Sequence, residues 1–357
     1  MALRIPVAVE RAVTRAILSL PAPVLRRIVG PVRRSPDGLT LDLQLQALLW
    51  LIALTKVPAL SGGEVAVARA ALDRAAPTLD LVTPGVTVYD RTVPGADGPR
   101  RARVYVPTSA PPSDAPGLVY FHGGGWVVGS IESHDRVCRA LAHRASLVVV
   151  SVDYRLAPEH PFPAAPEDAI AGTRWVLANA ALLGMDASRV AVGGDSAGGN
   201  LAAVVSLALR DEARRPAFQL LIYPATDLTR ALPSHALFGD SYFLSKAAGD
   251  WYLGLYLRSP GDATKPLASP LFVDDLSRLP PALVITAGFD PLRDEGKAYA
   301  EKMRAADVPV EQVCLDGQMH GFLVLGSAVR DASRTVDLVA ARLRSALAKA
   351  GPRARAN

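Results

Sequence analysis

The chain has 357 residues, half of them apolar and a fifth charged, so it can bury a sizeable core. Its net charge of +5 is uneven, because residues 1–34 hold seven arginines and one glutamate and the remainder therefore carries −1. Because the positive charge lies in one terminal segment, this distribution excludes a protein whose main domain is basic and binds nucleic acid. The two cysteines, Cys138 and Cys314, lie far apart, which predicts reduced core residues and argues against a disulfide scaffold or a thiolate metal site.

Helices alone are predicted before residue 82, over about 6–20, 40–56 and 62–75. The first is basic and amphipathic. Its apolar residues share one face: Val9, Val13, Ile17 and Leu20. We interpret it as a cap helix that covers apolar surface, with weak contact to an anionic membrane through residues 1–34 left open as the alternative. No convincing secretory signal or spanning segment is found, so we expect a cytoplasmic protein.

From Val86 onward, strands and helices alternate. A turn-rich segment joins the first two strands and predicts a hairpin. The predicted strands are 86–93, 102–106, 118–121, 147–152, 189–193, 218–223, 283–287 and 310–315. The predicted helices are 134–144, 166–180, 201–210, 295–306 and 329–349. Continuous apolar runs in several strands are typical of a parallel sheet with helices on both faces, so we predict an eight-stranded, mostly parallel α/β fold.

One segment, about 225–270, interrupts this alternation and has no strand signal. It is rich in aromatic residues: Phe238, Tyr242, Phe243, Trp251, Tyr252 and Tyr256. We interpret it as part of a cap over the edge of the sheet where open α/β sheets bind ligands. The alternative is a surface excursion that its aromatics only fix in place. The predicted organisation is a helical cap segment over 1–84, an α/β domain over 85–350 and a frayed tail over 351–357.

The sequence Gly-Asp-Ser-Ala-Gly at 194–198 lies between a predicted strand and a predicted helix. It matches the nucleophile elbow G-x-S-x-G, in which glycines leave room for a sharp turn that exposes Ser196. The turn also aims the N–H of Ala197 and the positive end of the following helix at charge that forms near the serine. The alternative is a glycine-rich turn with a capping serine.

A serine nucleophile needs a base and an acid that orients the base. Of the six histidines, only His320 follows the last predicted strand. Asp290 directly follows the strand before it, which gives the order Ser, Asp, His of α/β hydrolases. Asp294 and Asp316 are competitors for the acid, but we favour Asp290, because Asp294 is expected to open a helix and Asp316 to lie in a turn.

The sequence His-Gly-Gly-Gly-Trp at 122–126 follows the strand 118–121. Consecutive glycines let backbone N–H groups approach a substrate carbonyl, and this pattern matches the HGGG oxyanion loop. We interpret His122 and Gly123 as support for the loop. A phosphate cradle is the rival interpretation, but Val128 stands where a dinucleotide fingerprint needs glycine, and no Gly-Lys-Ser/Thr sequence occurs.

Together these motifs resemble the hormone-sensitive-lipase family of α/β hydrolases, the bacterial family IV carboxylesterases. The sequences that carry the resemblance are HGGGW at 122–126, DYRLAPEHPFPAAPEDA at 153–169, GDSAGG at 194–199, DPLRDE at 290–295 and HGF at 320–322. They are in register over about residues 85–345. The resemblance implies a helical cap built from the N-terminal helices and the 225–270 segment. We assign Arg155, Glu159 and Asp168 to structural ion pairs under the site.

The resemblance also implies a catalytic triad and an oxyanion hole. The triad would be Ser196, Asp290 and His320, and the hole would use the N–H groups of Gly124, Gly125 and Ala197. We expect a serine carboxylesterase that acts on small esters with short to medium acyl chains, without a metal or other cofactor and without nucleic acid; a homodimer is left open. Hydrolysis of amides or lactones, acyl transfer, and a receptor-like binding protein are the alternatives.

Overall fold

The structure, a computed structural model, describes residues 7–55, 61–79, 83–240 and 242–349. Within these residues a single sheet contains eight strands, in the spatial order β1-β2-β4-β3-β5-β6-β7-β8. The strands are β1 Val86–Pro94, β2 Pro99–Pro107, β3 Ala115–Phe121, β4 Val148–Val152, β5 Met185–Asp195, β6 Phe218–Ile222, β7 Ala282–Phe289 and β8 Val310–Met319. The eight predicted strands are therefore confirmed, although several extend further than predicted.

The first two strands form the predicted hairpin and are antiparallel to their neighbours. From β4 across to β8, every neighbouring pair is parallel. Parallel strands align their carboxyl ends along one edge of the sheet, so the loops that follow β3, β5, β7 and β8 emerge together. This alignment places the predicted site residues near one another.

Helices surround the sheet on both faces. They are α1 Val7–Leu18, α2 Ala22–Val29, α3 Leu43–Thr55, α4 Val65–Leu79, α5 Ile131–Ala145, α6 Ala164–Ala178, α7 Ala197–Ala208, α8 Pro233–Phe238, α9 Lys246–Tyr256, α10 Arg293–Ala305 and α11 Arg330–Lys349. The helix α2 was not predicted, because Pro21 and Pro23 read as breaks. Proline is tolerated in the first turn of a helix, where its missing N–H would have no helical partner, and Pro23 lies there.

The apolar side chains of the central strands form two cores, one on each face of the sheet. Adjacent residues of one strand, such as Val149 and Val150, belong to different cores. The same holds for Ala191 and Val192 of β5, and all four side chains are buried. Because side chains alternate along a strand, a strand covered on both sides needs an unbroken apolar run, and this explains the sequence pattern.

The N-terminal segment contacts β8 close to His320, at the residue that precedes α3. The N–H of Asp42 donates to the carbonyl of Gly317 at 2.9 Å. The expected covering face of α1 is not buried as predicted: Val9 is 48% and Val13 50% exposed, and Ile17 and Leu20 are half-buried. The buried Leu18 lies on the opposite side of the helix from Val9. The segment 225–270 contains α8, α9 and short 3₁₀ turns, and no strand among its described residues.

The predicted domain boundaries stay a prediction. The tail 351–357 lies outside the described residues. Among the described residues, none of the helices combines the length and apolar character that crossing a bilayer requires.

Candidate active site

Ser196 lies in a sharp turn between β5 and α7. Its backbone has φ 56° and ψ −120°, a conformation that non-glycine residues rarely adopt. Glycines on both sides are required by close approach of the backbone. A Cβ on Gly194 would lie 2.4 Å from the carbonyl oxygen of Phe121, and one on Gly198 would lie 1.9 Å from the same atom. The N–H of Ser196 donates to the carbonyl of Ile222 at 2.9 Å, which fixes the turn against β6.

Ser196, His320 and Asp290 form a chain of hydrogen bonds. The distance from His320 Nε2 to Ser196 Oγ is 2.8 Å, and that from His320 Nδ1 to Asp290 Oδ2 is also 2.8 Å. A carboxylate can only accept, so Nδ1 carries the proton and Nε2 of the neutral ring accepts from the serine hydroxyl. Asp290 is fully buried, and its Oδ1 accepts from the N–H of Leu292 at 2.8 Å. The structure thus brings together three residues from three separate loops.

Neither competing carboxylate is among the described hydrogen-bond partners of His320. Asp294 lies in the first turn of α10 and accepts from the N–H of Ser234 at 3.0 Å and from Arg293 Nε at 2.9 Å. Asp316 lies within β8 and not in the expected turn, and its backbone packs against Gly288, where a Cβ would lie 2.0 Å from the Asp316 carbonyl oxygen. Among the described hydrogen bonds of His320, only Asp290 supplies a carboxylate.

Tyr223 is a neighbour of His320 that the sequence reasoning missed. The centroids of the two rings are 4.9 Å apart at an angle of 57°. Burial raises the pKa of the Tyr223 hydroxyl well above its ordinary value. The tyrosine therefore stays neutral and fixes the position of the imidazole by packing. Its location directly after β6, on the edge that carries the site, is the signal that could have identified it.

The loop at 122–126 adopts a backbone that needs glycine. Gly124 has φ 124° and Gly125 has φ 59°. A Cβ on Gly124 would lie 2.2 Å from the carbonyl oxygen of Val128, and one on Gly125 would lie 2.5 Å from the ring of Tyr252. Among the described hydrogen bonds, none uses the N–H groups of Gly124, Gly125 or Ala197 as donors. Three backbone donors beside Ser196 are thus available to an acceptor.

His122 supports the loop from within the protein. Its Nδ1 lies 2.9 Å from the carbonyl oxygen of Gly123, and its ring stacks on Tyr154 with centroids 4.4 Å apart. The hydroxyl of Tyr154 donates to the carbonyl of His122 at 2.8 Å. Burial lowers the pKa of His122 to about 3, with the charge of His134 adding to the effect. A histidine that stays neutral in this way packs and donates without acting as a base at neutral pH.

Asp195, next to the nucleophile, joins the elbow to the oxyanion loop. Its Oδ1 accepts from the N–H of Gly123 at 3.1 Å and from the hydroxyl of Tyr120 at 2.7 Å. His134 Nε2 lies 3.3 Å from the same oxygen. Burial opposes ionisation of Asp195, but the charge of His134 and the hydrogen bonds from His134 and Tyr120 outweigh it and lower the pKa. Sequence reasoning gave no role to Asp195, Tyr120 or His134.

The ion pairs predicted under the site are only partly as expected. Arg155 donates to Asp168 from Nε at 2.8 Å and from Nη2 at 3.0 Å, and Asp168 is fully buried. Asp168 also accepts from the N–H of Ala96 at 2.9 Å. Glu159 does not join this cluster, because it binds Arg69 of α4 at 2.7 Å. It therefore connects the site to the N-terminal helices.

Two aromatic residues of the 225–270 segment lie beside the site. Tyr252 packs over Gly125, and Phe243 lies against Gly321, where a Cβ would be 3.0 Å from its ring. The other aromatics have structural partners. Phe238 and Tyr242 pack on Phe289, Tyr256 stacks on Trp126, and Trp251 packs edge-on against Tyr252.

The mostly parallel sheet, the elbow serine and the hydrogen-bonded histidine and carboxylate define an α/β hydrolase of the serine type. Comparison with known proteins agrees: the profile of the alpha/beta hydrolase fold family matches residues 118–324. The chain belongs to this family, and its resemblance to the hormone-sensitive-lipase branch is confirmed.

Characterised relatives share much of the sequence. The chain is 44% identical over 317 residues to the carboxylic ester hydrolase LipN of Mycobacterium tuberculosis, covering 86% of this chain and 83% of that protein. It is 44% identical over 291 residues to the carboxylesterase NlhH of the same organism, covering 79% and 90%.

Solved structures of similar proteins superpose closely. The ester hydrolase EH1AB1, from the metagenome of Lake Arreo, has a TM-score of 0.82 and 43% identity and covers 85% of this chain and 98% of its own. An esterase from the archaeon Pyrobaculum calidifontis has a TM-score of 0.80 and 42% identity with the same coverage.

Proposed function

We propose that Ser196, His320 and Asp290 hydrolyse carboxylic esters of short to medium acyl chains through an acyl-enzyme on Ser196. The chain is a carboxylic ester hydrolase, as its relatives are. The observation that carries the assignment of roles is the pair of 2.8 Å contacts from His320 to Ser196 Oγ and to Asp290. That geometry is what a histidine needs to accept the proton of a serine and to be stabilised once it is charged.

The proposed reaction has two halves. In the first, His320 accepts the proton of Ser196 while Oγ attacks the ester carbonyl, and Asp290 stabilises the imidazolium. The tetrahedral intermediate collapses when His320 gives that proton to the leaving alkoxide. In the second half, His320 takes a proton from water while the water oxygen attacks the acyl carbonyl. The second tetrahedral intermediate collapses when His320 gives that proton to Ser196 Oγ, which breaks the acyl bond and releases the carboxylic acid.

The negative oxygen of the intermediate would be stabilised by backbone donors. The support is that the N–H groups of Gly124, Gly125 and Ala197 donate no hydrogen bond among those described, while Ala197 also begins α7. A helix N-terminus adds a favourable dipole for an anion. Loss of one such donor in serine hydrolases reduces kcat by about 10²- to 10³-fold.

An apolar acyl group fits the surroundings of the site. Tyr252 and Phe243 present aromatic rings beside Gly125 and Gly321. Burial raises the pKa of the Tyr252 hydroxyl, so this ring stays uncharged. The preference for short to medium chains comes from the family resemblance.

The test is a panel of p-nitrophenyl esters from acetate to palmitate together with one anilide. We expect the highest kcat/KM on a short or medium ester, and covalent labelling by a fluorophosphonate that Ser196→Ala abolishes. Ser206→Ala is the matched control, because Ser206 is a buried serine of α7 that donates to Ala202 and lies outside the site. Faster hydrolysis of the anilide would favour an amidase, and an unlabelled, inactive wild type would favour a binding protein.

Contact with a membrane, formation of a homodimer and the cytoplasmic location all stay predictions. Contact of residues 1–34 with an anionic membrane is supported by the exposure of Val9 and Val13 on a helix that also carries Arg11 and Arg15. Sedimentation with phosphatidylglycerol vesicles tests it, and phosphatidylcholine vesicles are the control. Light scattering tests the homodimer.

A further inference from the structure

Arg69 of the N-terminal helix α4 reaches two loops of the α/β domain at once. Its Nε donates to the carbonyl of Val127 at 2.8 Å, and its Nη2 donates to the carbonyl of Ala157 at 2.9 Å. Nη1 and Nη2 also bind the two carboxylate oxygens of Glu159, at 2.8 and 2.7 Å. All three nitrogens of the guanidinium are therefore used, and such a planar fork holds its partners in one geometry.

Val127 belongs to the segment that follows Gly125, and Ala157 belongs to a second loop that is hydrogen-bonded to this segment. The N–H groups of Val127 and Val128 donate to the carbonyl of Gly124 at 3.1 and 3.0 Å, which closes a tight turn around the glycines. The N–H of Ala157 donates to the carbonyl of Trp126 at 2.9 Å. Arg69 thus connects the backbone at Val127, which follows the glycines, to the backbone at Ala157.

The start of the loop, at His122 and Gly123, is held by other contacts. Gly123 donates to Asp195, and Tyr154 donates to the carbonyl of His122. Both partners, Asp195 and Tyr154, are buried residues of the α/β domain. The loop is therefore anchored at one end by the sheet and at the other by a side chain of the cap, with Gly124 and Gly125 between the anchors.

We infer that Arg69 is a positioning residue for the oxyanion hole, which sets the placement of the Gly124 and Gly125 N–H groups through Val127. The inference rests on the proposed ester hydrolysis, because only that reaction gives those donors a developing negative charge to stabilise. Hydrogen bonds to a transition state depend steeply on placement, and a displacement of about 1 Å reduces rates by about 100-fold. Arg69 thereby couples the docking of α4 to the chemical step.

A role in stability alone does not explain this arrangement. The side chains of Arg69 and Glu159 are 29% and 54% exposed, and ion pairs so open to solvent add little to stability. The same helix carries Arg74, whose described ion pair is with Glu10 of α1 at 2.6 Å. Arg74 therefore provides a control for cap docking.

The experiment compares Arg69→Met, Arg69→Lys and Glu159→Gln with the control Arg74→Met, using the best ester of the panel. We expect Arg69→Met to lower kcat by about 10- to 100-fold with KM changed by less than about threefold. Glu159→Gln keeps both carbonyl contacts and is expected to have a much smaller effect. Arg69→Lys is expected to fall between, because one ammonium cannot replace the fork.

A second measurement separates positioning from general loosening. A trifluoromethyl ketone forms a tetrahedral adduct with the serine, so its inhibition constant reports on the oxyanion hole. We expect the constant for Arg69→Met to rise in proportion to the fall in kcat/KM, and guanidinium ions to restore part of the activity of Arg69→Ala. Equal kinetics of Arg69→Met and Arg74→Met, or an unchanged inhibition constant, would overturn the inference. An inactive wild type would instead overturn the proposed function.

Discussion

His122 makes the stability of the protein sensitive to acid. Burial lowers its pKa to about 3, and the charge of His134 adds to this effect. The hydrogen bond to the Gly123 carbonyl and the charges of Asp195 and Glu132 act in the opposite direction but are weaker. The unfolded chain has the ordinary value of 6.5. Since the pKa is depressed in the folded state, protons bind the unfolded chain more tightly.

The sign and size of the effect follow from this difference. The contribution of His122 to stability is fully present above pH 6.5 and is lost as the pH falls toward 3. Between about pH 7.5 and about pH 5.0, the free energy of unfolding should fall by about 2 kcal/mol from this residue alone. Other groups titrate in the same range, so the measurement must be a difference between variants.

The assay is urea unfolding of the wild type and of His122→Asn at both pH values. Asparagine can still donate to the Gly123 carbonyl but does not titrate. We expect the variant to lose about 2 kcal/mol less than the wild type on acidification. His160→Gln is the control, because it removes a histidine that is exposed instead of buried. The reasoning is refuted if His122→Asn and the wild type lose the same free energy within about 0.5 kcal/mol.

Two further changes test the site, and a third tests the buried carboxyl group of Glu295 in the first turn of α10. Asp290→Asn should reduce kcat by about 10⁴-fold without lowering the melting temperature much, because the amide favours the wrong tautomer of His320; a loss below tenfold in ester assays would contradict this. Gly125→Ala should reduce kcat by about 10²-fold or more, and adding Tyr252→Ala should restore only part, since the positive φ remains strained. Glu295 has a pKa raised by burial to about 6 from 4.5, so its stabilising effect is full below 4.5 and is lost as the pH rises through 6. Relative to Glu295→Gln, wild-type stability should fall by about 2 kcal/mol over that range in urea titrations, and a rise would contradict it.

The strands and the main site motifs could be predicted because their constraints are local. Buried parallel strands need apolar runs, and the turns at Ser196 and Gly124 need small neighbours, so both leave a pattern in nearby residues. The contacts that support the site are not local. Arg69 and Glu159 are 90 positions apart, and Tyr120 and Asp195 are 75 apart. Only the assembled sheet brings such residues together, so no spacing in the sequence indicates them.

The predicted covering face of α1 shows a second limit. Periodicity identifies which residues of a helix share a face, but it does not say what that face meets. Val9 and Val13 follow the apolar pattern and are nevertheless half exposed, whereas the buried Leu18 lies on the opposite side of the helix from Val9. The pattern therefore predicted the helix correctly and its surroundings only in part.

The strained backbone of Ser196 sets thermal stability against activity. A conformation with φ 56° and ψ −120° costs a serine about 1–3 kcal/mol, whereas glycine adopts it freely. A glycine at this position would make the fold more durable and the enzyme inert. Selection for thermal endurance alone would therefore remove the hydroxyl, so an active chain must hold this strained serine in place with the surrounding packing.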